Sequence, residues 1–262
     1  MVVAITGASA GIGRATAVRV AKDGASVAIC ARRGDRLRDA AAEIVKAGGR
    51  ALPVVADVSS AEDMDHFVSA ATGQFGRLDV MICNAGFGIA GLIDEITPRQ
   101  MRSLVDVNFM GTYYATRAAL PIFRRQASGH LIVVSSIVGK RGVPFMAAYS
   151  ATKFAQVGMA ECLRAELSGS NIHVSVVFPV STESEFFDVM SRETGAAVER
   201  SFGPRQDADE VAGAIARAIA RPAAEVYPHR KSRALVVFNA IAPGLCDRIV
   251  HRFGRKAVRH GS

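Results

Sequence analysis

Short apolar runs rich in Val and Ile alternate with longer amphipathic stretches along most of this 262-residue chain. No other feature limits the fold as much. A bounded apolar run of about five residues has the length of a buried strand, while a longer stretch with apolar positions three and four apart makes a helix with one dry face. The pattern predicts strands over Val2–Ile5, Val27–Ala31, Ala51–Val55, Leu78–Cys83, Leu131–Ser135 and His173–Phe178, and a short seventh near 224–227. It predicts helices over Gly11–Lys22 and over about 35–47, 60–74, 98–126 and 147–168. Strands that are apolar on both sides belong in a parallel sheet with helices on both faces. Right-handed crossovers then give a doubly wound, Rossmann-like α/β sheet of about seven strands. Ligands of such sheets bind at the carboxyl ends of the strands, so the residues after each apolar run carry the functional reading.

Composition removes the competing classes. Half of the residues are hydrophobic and 21% are charged, which excludes a disordered or collagen-like chain. The four cysteines, at 30, 83, 162 and 246, form no CxxC or zinc-like pairing and are expected to be reduced, mostly buried thiols of a cytoplasmic protein. The start, MVVAITGASAGIG, lacks the basic and long apolar regions of a signal peptide. Net charge is +8, but residues 221–262 hold nine Lys/Arg against two Asp/Glu, and the rest is nearly neutral. That distribution argues against a general nucleic-acid-binding surface. It also divides the chain into one domain, 1–227, and a basic extension, 228–262.

The first strand runs into Thr6-Gly7-Ala8-Ser9-Ala10-Gly11-Ile12-Gly13. Glycines there permit a tight turn and a close backbone approach to phosphate, and the helix that follows offers free N–H groups and a favourable dipole. No G-K-[ST] follows, so a Walker loop is excluded. Farther on, Tyr149-Ser150-Ala151-Thr152-Lys153 sets Tyr and Lys at i and i+4, on one face of a helix. A free phenol is a poor acid–base group at neutral pH. A neighbouring ammonium lowers its pKa and suits it to exchange a proton with a developing alkoxide.

T-G-x-x-x-G-x-G and Y-x-x-x-K, in this order, resemble the short-chain dehydrogenase/reductase family over about residues 1–227. The T-G-x-x-G-x-x-G spacing of the longer epimerase-type relatives does not fit. The resemblance implies an oxidoreductase that moves hydride between a nicotinamide cofactor and a carbonyl or secondary alcohol. It implies a catalytic set of Asn108, Ser136, Tyr149 and Lys153. Ser136, 13 residues before Tyr149, would bond the substrate carbonyl, and Ser135 stands one residue too early. Tyr149 would transfer the proton. Lys153 would bind the nicotinamide ribose and lower the Tyr149 pKa. Asn108, through its side chain or local backbone, would hold a water linking Lys153 to solvent.

The implied cofactor cleft takes in Gly7, Ser9, Ala10, Gly11, Ile12 and Gly13, then Asp57 and Val58, with Asp57 on the adenine, then Asn84-Ala85-Gly86 as brace and lining. Asp57 suits a helix cap equally. After the sixth strand it takes in Pro179, Thr182 and Ser184. Here the chain departs from the family's P-G-x-[VI]-x-T: Val180 replaces Gly, and Ser184 replaces Thr but keeps a hydroxyl. At the end of the second strand, Ala31 stands where an acid would accept from the 2′-hydroxyl of NAD, and Arg32 and Arg33 follow. Guanidinium suits a 2′-phosphate through forked, charge-assisted hydrogen bonds, so NADP(H) is the expected cofactor, with Arg32 ahead of Arg33 as its contact.

The loop Glu185–Gln206, with Phe186, Phe187, Val189, Met190 and Phe202, joins Phe87, Ile89, Val143, Phe145 and Met146 as walls for an apolar small-molecule substrate. The same residues would equally pack a lid against the body. The family pairs subunits through helices equivalent to 98–126 and 147–168, so a homodimer or homotetramer is implied. A non-catalytic NADP(H)-binding sensor or scaffold on this fold would be favoured by a damaged catalytic set, and this set is intact. In the extension, Ala234–Val250 is apolar but interrupted by Asn239, Pro243, Gly244, Asp247 and Arg248, with basic residues on either side. It suits an interfacial helix on an anionic membrane surface, a helix covering the sheet edge, or a subunit contact.

Overall fold

The computed structural model describes residues 1–195 and 204–254, the last three by their backbone alone. Phe202 and the terminal stretch 255–262 lie outside the described residues. The strands β1 (Val2–Thr6), β2 (Ser26–Ala31), β3 (Arg50–Val55), β4 (Val80–Cys83), β5 (Gly129–Val134), β6 (Ile172–Val177) and β9 (Glu225–Val226) form one parallel sheet in the order 3-2-1-4-5-6-9. The order reverses between β1 and β4, where a cleft opens at the carboxyl ends. A separate parallel pair, β7 (Ser181–Thr182) and β8 (Arg205–Gln206), follows β6.

Successive residues of each strand feed opposite faces. Val3 and Ile5 pair with Val27 and Ile29 on one side and with Val80 and Ile82 on the other. They pack under α1 (Gly11–Lys22), α2 (Gly34–Lys46) and α8 (Ala208–Ala220), through residues such as Val20, Leu37 and Ile215. Ala4, Met81 and Leu131 face the other layer, made by α3 (Ala61–Phe75), α5 (Gly111–Gln126) and α6 (Ala147–Glu166), with Phe67, Phe123 and Val157 at its centre. The sequence reading does not include α8. Its buried face joins Val211 and Ile215 to the small residues Ala212, Gly213, Ala214 and Ala218, opposite exposed Asp209, Glu210 and Arg217, so an amphipathic signal was present and was passed over.

The predicted helix over 98–126 is three pieces. α4 (Pro98–Leu104) starts at a capping box between Thr97 and Gln100, a π-helical turn spans Val105–Met110, and α5 continues from Gly111. At the start of α3 the cap is Ser60, which accepts from the Asp63 N–H; Asp57 instead shapes the preceding turn by accepting from the Ser59 N–H and hydroxyl. The segment after β6, read from the sequence as a loop over Glu185–Gln206, contains α7 (Phe186–Thr194).

The extension folds as α9 (Ser232–Ile241) and α10 (Pro243–Gly254), which turn at Ala242 and pack mainly on each other. Arg141 holds them to the body by donating to Asn239 Oδ1 at 3.1 Å and to the Asp247 carboxylate. Among the described residues, no helix is long and apolar enough to cross a membrane.

The two strands at the switch point are tied by one side chain. Thr6, buried at the end of β1, accepts from the backbone N–H groups of Asn84 and Ala85 at 3.0 and 3.1 Å through its Oγ1. Thr6→Val keeps the shape and removes that acceptor, so two amides lose their partner. Unfolding free energy in urea should fall by about 2 kcal/mol; an unchanged midpoint would show that other groups satisfy those amides.

Candidate active site

The glycine loop leaves no room for side chains where it meets β4. Gly7 has φ +66, and a Cβ there would lie 2.7 Å from Ala85 Cα. A Cβ at Gly13 would lie 2.5 Å from both Asn84 Nδ2 and the Gly7 carbonyl oxygen. Asn84 Nδ2 donates to the carbonyls of Thr6 and Gly7 at 2.9 and 3.2 Å, so Asn84 performs the bracing expected of it. α1 begins at Ala10 with no side-chain cap and no acid in its first turn. Its N–H groups and dipole therefore suit an anion, and the donor set fits a dinucleotide pyrophosphate.

At the outer end of this cleft, Arg33 donates to Ser9 Oγ at 3.2 Å and to Glu185 at 3.1 Å. Arg36 also donates to Glu185, and both arginines hold its carboxyl below the usual carboxylate range. Arg32 is mostly exposed, with a guanidinium nitrogen 3.8 Å from Asp57. The structure thus turns Arg33 toward the glycine loop and leaves Arg32 at the rim beside Asp57. The sequence reading missed Arg36 and Glu185; the spacing of Arg36, three residues after Arg33 at the start of α2, was the available signal. Val58 packs beneath the rim, so close to Gly111 that a Cβ there would lie 2.8 Å from Val58 Cγ2.

Ser136, Tyr149, Lys153 and Asn108 are brought together at the ends of β4 and β5. Ser136 follows β5 and hydrogen-bonds the Tyr149 phenol. Its neighbour Ser135 instead donates to the Lys153 carbonyl at 3.1 Å, a structural tie that leaves Ser136 as the site hydroxyl. Lys153 Nζ donates to the Val134 carbonyl at 3.1 Å and lies 5.6 Å from the centre of the Tyr149 ring. Burial pushes the phenol up, the Ser136 hydrogen bond opposes it only partly, and burial pulls the Lys153 amine down to about 7.

Asn108 sits fully buried in the π-helical turn. Its Oδ1 accepts from the Phe87 N–H at 3.0 Å, and its Nδ2 donates to the Phe87 carbonyl at 2.9 Å and to Thr152 Oγ1 at 3.0 Å. Its carbonyl accepts from Thr112 Oγ1 at 2.8 Å and from Gln156 Nε2 at 2.7 Å. These contacts describe a residue that locks three elements together. Thr152 and Gln156, buried members of this network, were missed; each lies within one turn of Lys153, on the face of α6 turned to the sheet.

After β6, Pro179 accepts from the Ile137 N–H at 2.9 Å and so fixes the loop that carries Ser136. Thr182 Oγ1 donates to the Val180 carbonyl at 3.0 Å, which turns this hydroxyl into its own loop. Ser184 lies against the glycine loop: a Cβ at Gly11 would be 3.1 Å from Ser184 Cβ. The apolar wall residues form a third cluster, in which Phe187 and Met190 of α7 bury with Ile89, Met146 and Tyr149, and Phe87, Val143 and Phe186 pack at its edge. The Phe186 ring lies 5.5 Å from that of Tyr149. α7 is thus a lid packed over Tyr149.

The lowered Lys153 pKa links protonation to stability. The unfolded chain holds this proton up to about pH 10.4, whereas the folded chain releases it near 7, so stability should rise with pH between those values. Without added nucleotide, the unfolding free energy of the wild type relative to Lys153→Met should grow by up to about 1.4 kcal/mol per pH unit from pH 7 to 9. A difference that stays flat would mean that Lys153 keeps its charge when folded.

The comparisons with known proteins agree with this geometry. Residues 1–194, well over half of the chain, match the short chain dehydrogenase family. The oxidoreductase YxnA of Bacillus subtilis is 32% identical over 258 residues, 96% of this chain and 71% of that protein. A short-chain dehydrogenase/reductase from Burkholderia phymatum, solved with NAD, superposes with a TM-score of 0.85 at 25% identity, covering 93% of this chain and 94% of its own. A metagenomic short-chain oxidoreductase solved with NADP superposes at 0.74 with 30% identity, covering 87% and 96%. A sheet of order 3-2-1-4-5-6-9, a glycine loop against β4 and a Ser–Tyr–Lys group under a lid thus come with sequence kinship, and the chain belongs to the short-chain dehydrogenase family of oxidoreductases.

Proposed function

We propose that this protein is an NADP(H)-dependent carbonyl reductase or alcohol dehydrogenase acting on an apolar small molecule. The observation that carries the reading is the Tyr149 phenol, bonded by Ser136, flanked by the Lys153 amine and covered by the apolar face of α7. When bound, the nicotinamide cofactor supplies or accepts the hydride. Ser136 orients the substrate oxygen. Tyr149 gives that oxygen a proton in the reductive direction and takes it back in the oxidative one. Lys153, anchored on the Val134 carbonyl, stabilises negative charge at the Tyr149 oxygen as its proton leaves. Asn108 keeps α6 and the Phe87 loop in register with one another. The lid excludes water, which strengthens each of these interactions.

Preference for NADP(H) rests on Ala31 at the end of β2 and on the three guanidiniums of Arg32, Arg33 and Arg36 at the adenosine end of the cleft. Solved relatives carry NAD in one case and NADP in another, so both have precedent. Exposed Tyr113 on α5 and Phe154 on α6 support a subunit contact on that face.

Tyr149→Phe should lower turnover of apolar ketones by about a thousandfold while NADPH binding changes little; wild-type kcat in this variant would remove Tyr149 from the chemistry. In fluorescence titrations, NADPH should bind much more tightly than NADH. Arg32→Ala and Arg33→Ala should each weaken NADPH by about tenfold with little effect on NADH. Equal losses for the two nucleotides would assign these arginines to general phosphate attraction instead of 2′-phosphate recognition.

A further inference from the structure

We infer that the α9–α10 hairpin is a membrane-surface element that seats the protein on an anionic bilayer. The hairpin leaves an apolar surface uncovered. Val237 is 51% exposed and Ile241 78%, one turn apart on α9, and Leu245 is 49% exposed and Ile249 40%, one turn apart on α10; exposed aliphatic side chains grouped in this way mark an interaction site. Val237, Phe238 and Ile241 line an open hollow with Arg233, which places a cation on the same face as the apolar side chains.

The hairpin itself carries charge mostly of one sign, while Arg230 and Lys231, just before it, share a neighbouring hollow with Asp209, Glu210, Arg19 and Arg217 of the body. Arg230, Lys231, Arg233 and Arg248 are exposed, and the one acid of the hairpin, Asp247, is engaged by Arg141 of the body. After Asp247 the sequence holds five Lys/Arg and no Asp or Glu. Apolar side chains beside a rim of cations match the two parts of a lipid surface, acyl chains below and anionic headgroups above. The helices have 10 and 12 residues, about half of what a span requires, so the hairpin lies on the bilayer rather than across it.

A second copy of the chain fits the patch less well. A two-fold contact brings the same surface of each subunit together, and here it would set like charges opposite one another. A bilayer rich in anionic lipid supplies the missing counter-charge.

The test is sedimentation of the full-length protein with vesicles of phosphatidylcholine alone and with vesicles containing about a quarter phosphatidylglycerol. The expected result is at least about tenfold more protein pelleted by the anionic vesicles, with the difference reduced at about 0.5 M salt. Ile241→Glu and the pair Arg230→Glu/Arg233→Glu should each abolish it. All three positions are exposed, so the fold should tolerate these changes, as an unchanged melting temperature would verify. Equal pelleting by both vesicle types, or pelleting by neither, overturns the proposal. A light-scattering mass that falls to that of a monomer in Ile241→Glu, without vesicle binding by the wild type, would assign the patch to a second copy. None of these readouts depends on turnover or nucleotide binding, so the outcome is separable from the proposed reaction.

Discussion

The contact on which the site depends is the close approach of the β1–α1 loop to the end of β4. Gly7 meets the main chain of Ala85 there, and Gly13 meets the side-chain amide of Asn84, with no space for a Cβ at either position. The contact fixes more than a phosphate cradle. Thr6 and Asn84 hold the end of β4, and two residues beyond Ala85 the backbone of Phe87 exchanges two hydrogen bonds with Asn108. Asn108 in turn bonds Thr152 and Gln156, on either side of Lys153. A continuous line of polar contacts runs from the first strand to α6, crossing the cleft behind the site. The glycine loop and the catalytic helix are thereby set relative to each other by bonded groups, while hydrophobic packing supplies the bulk of the stability around them.

The second constraint is electrostatic. Tyr149 and Lys153 are both buried, and burial favours the neutral form of each. In the proposed reaction Tyr149 passes a proton, and an apolar lid over it works against the ionised states that such a transfer visits. The site offsets this with the Ser136 hydroxyl and an amine that titrates near neutrality. Small changes in what surrounds the Lys153 amine therefore move its charge within the working pH range, which is a property of the pocket and not of the Y-x-x-x-K spacing.

Much of this was legible in the sequence, for physical reasons. Both-sided burial makes a parallel strand a plain apolar run, so β1, β2, β4, β5 and β6 could be read directly, while β3, an edge strand with only Val54 buried, showed through its composition; the glycine loop could be placed because it follows the first of them. The i, i+4 pair of Tyr149 and Lys153 is visible because helix geometry makes that spacing a contact. What escaped depends on partners far apart in the chain. Glu185 meets Arg33 and Arg36 across about 150 residues, and β7 pairs with β8 through two residues each. Gln156 sits where an apolar residue would continue the buried face of α6, and its amide is needed only because the π-helical turn presents the Asn108 carbonyl to it. α8 was passed over although exposed Asp209, Glu210 and Arg217 lie opposite buried Val211 and Ile215; the small residues among them pack closely against α1.

A π turn holds one residue more than the α turn it replaces. The segment Val105–Met110 is therefore a place where the chain carries a surplus residue without any loop to show for it. Deleting one residue there would leave a continuous α-helix of ordinary composition from Pro98 onward. Because the wider turn absorbs the surplus residue, the helix on either side of the deletion would keep its phase, with Leu104 still among the lid contacts and Phe123 still in the core. The deletion would remove only the local widening around Asn108, whose carbonyl accepts from Thr112 and Gln156. A length change of one would here spare the packing of both layers and be felt at the polar contacts behind the site.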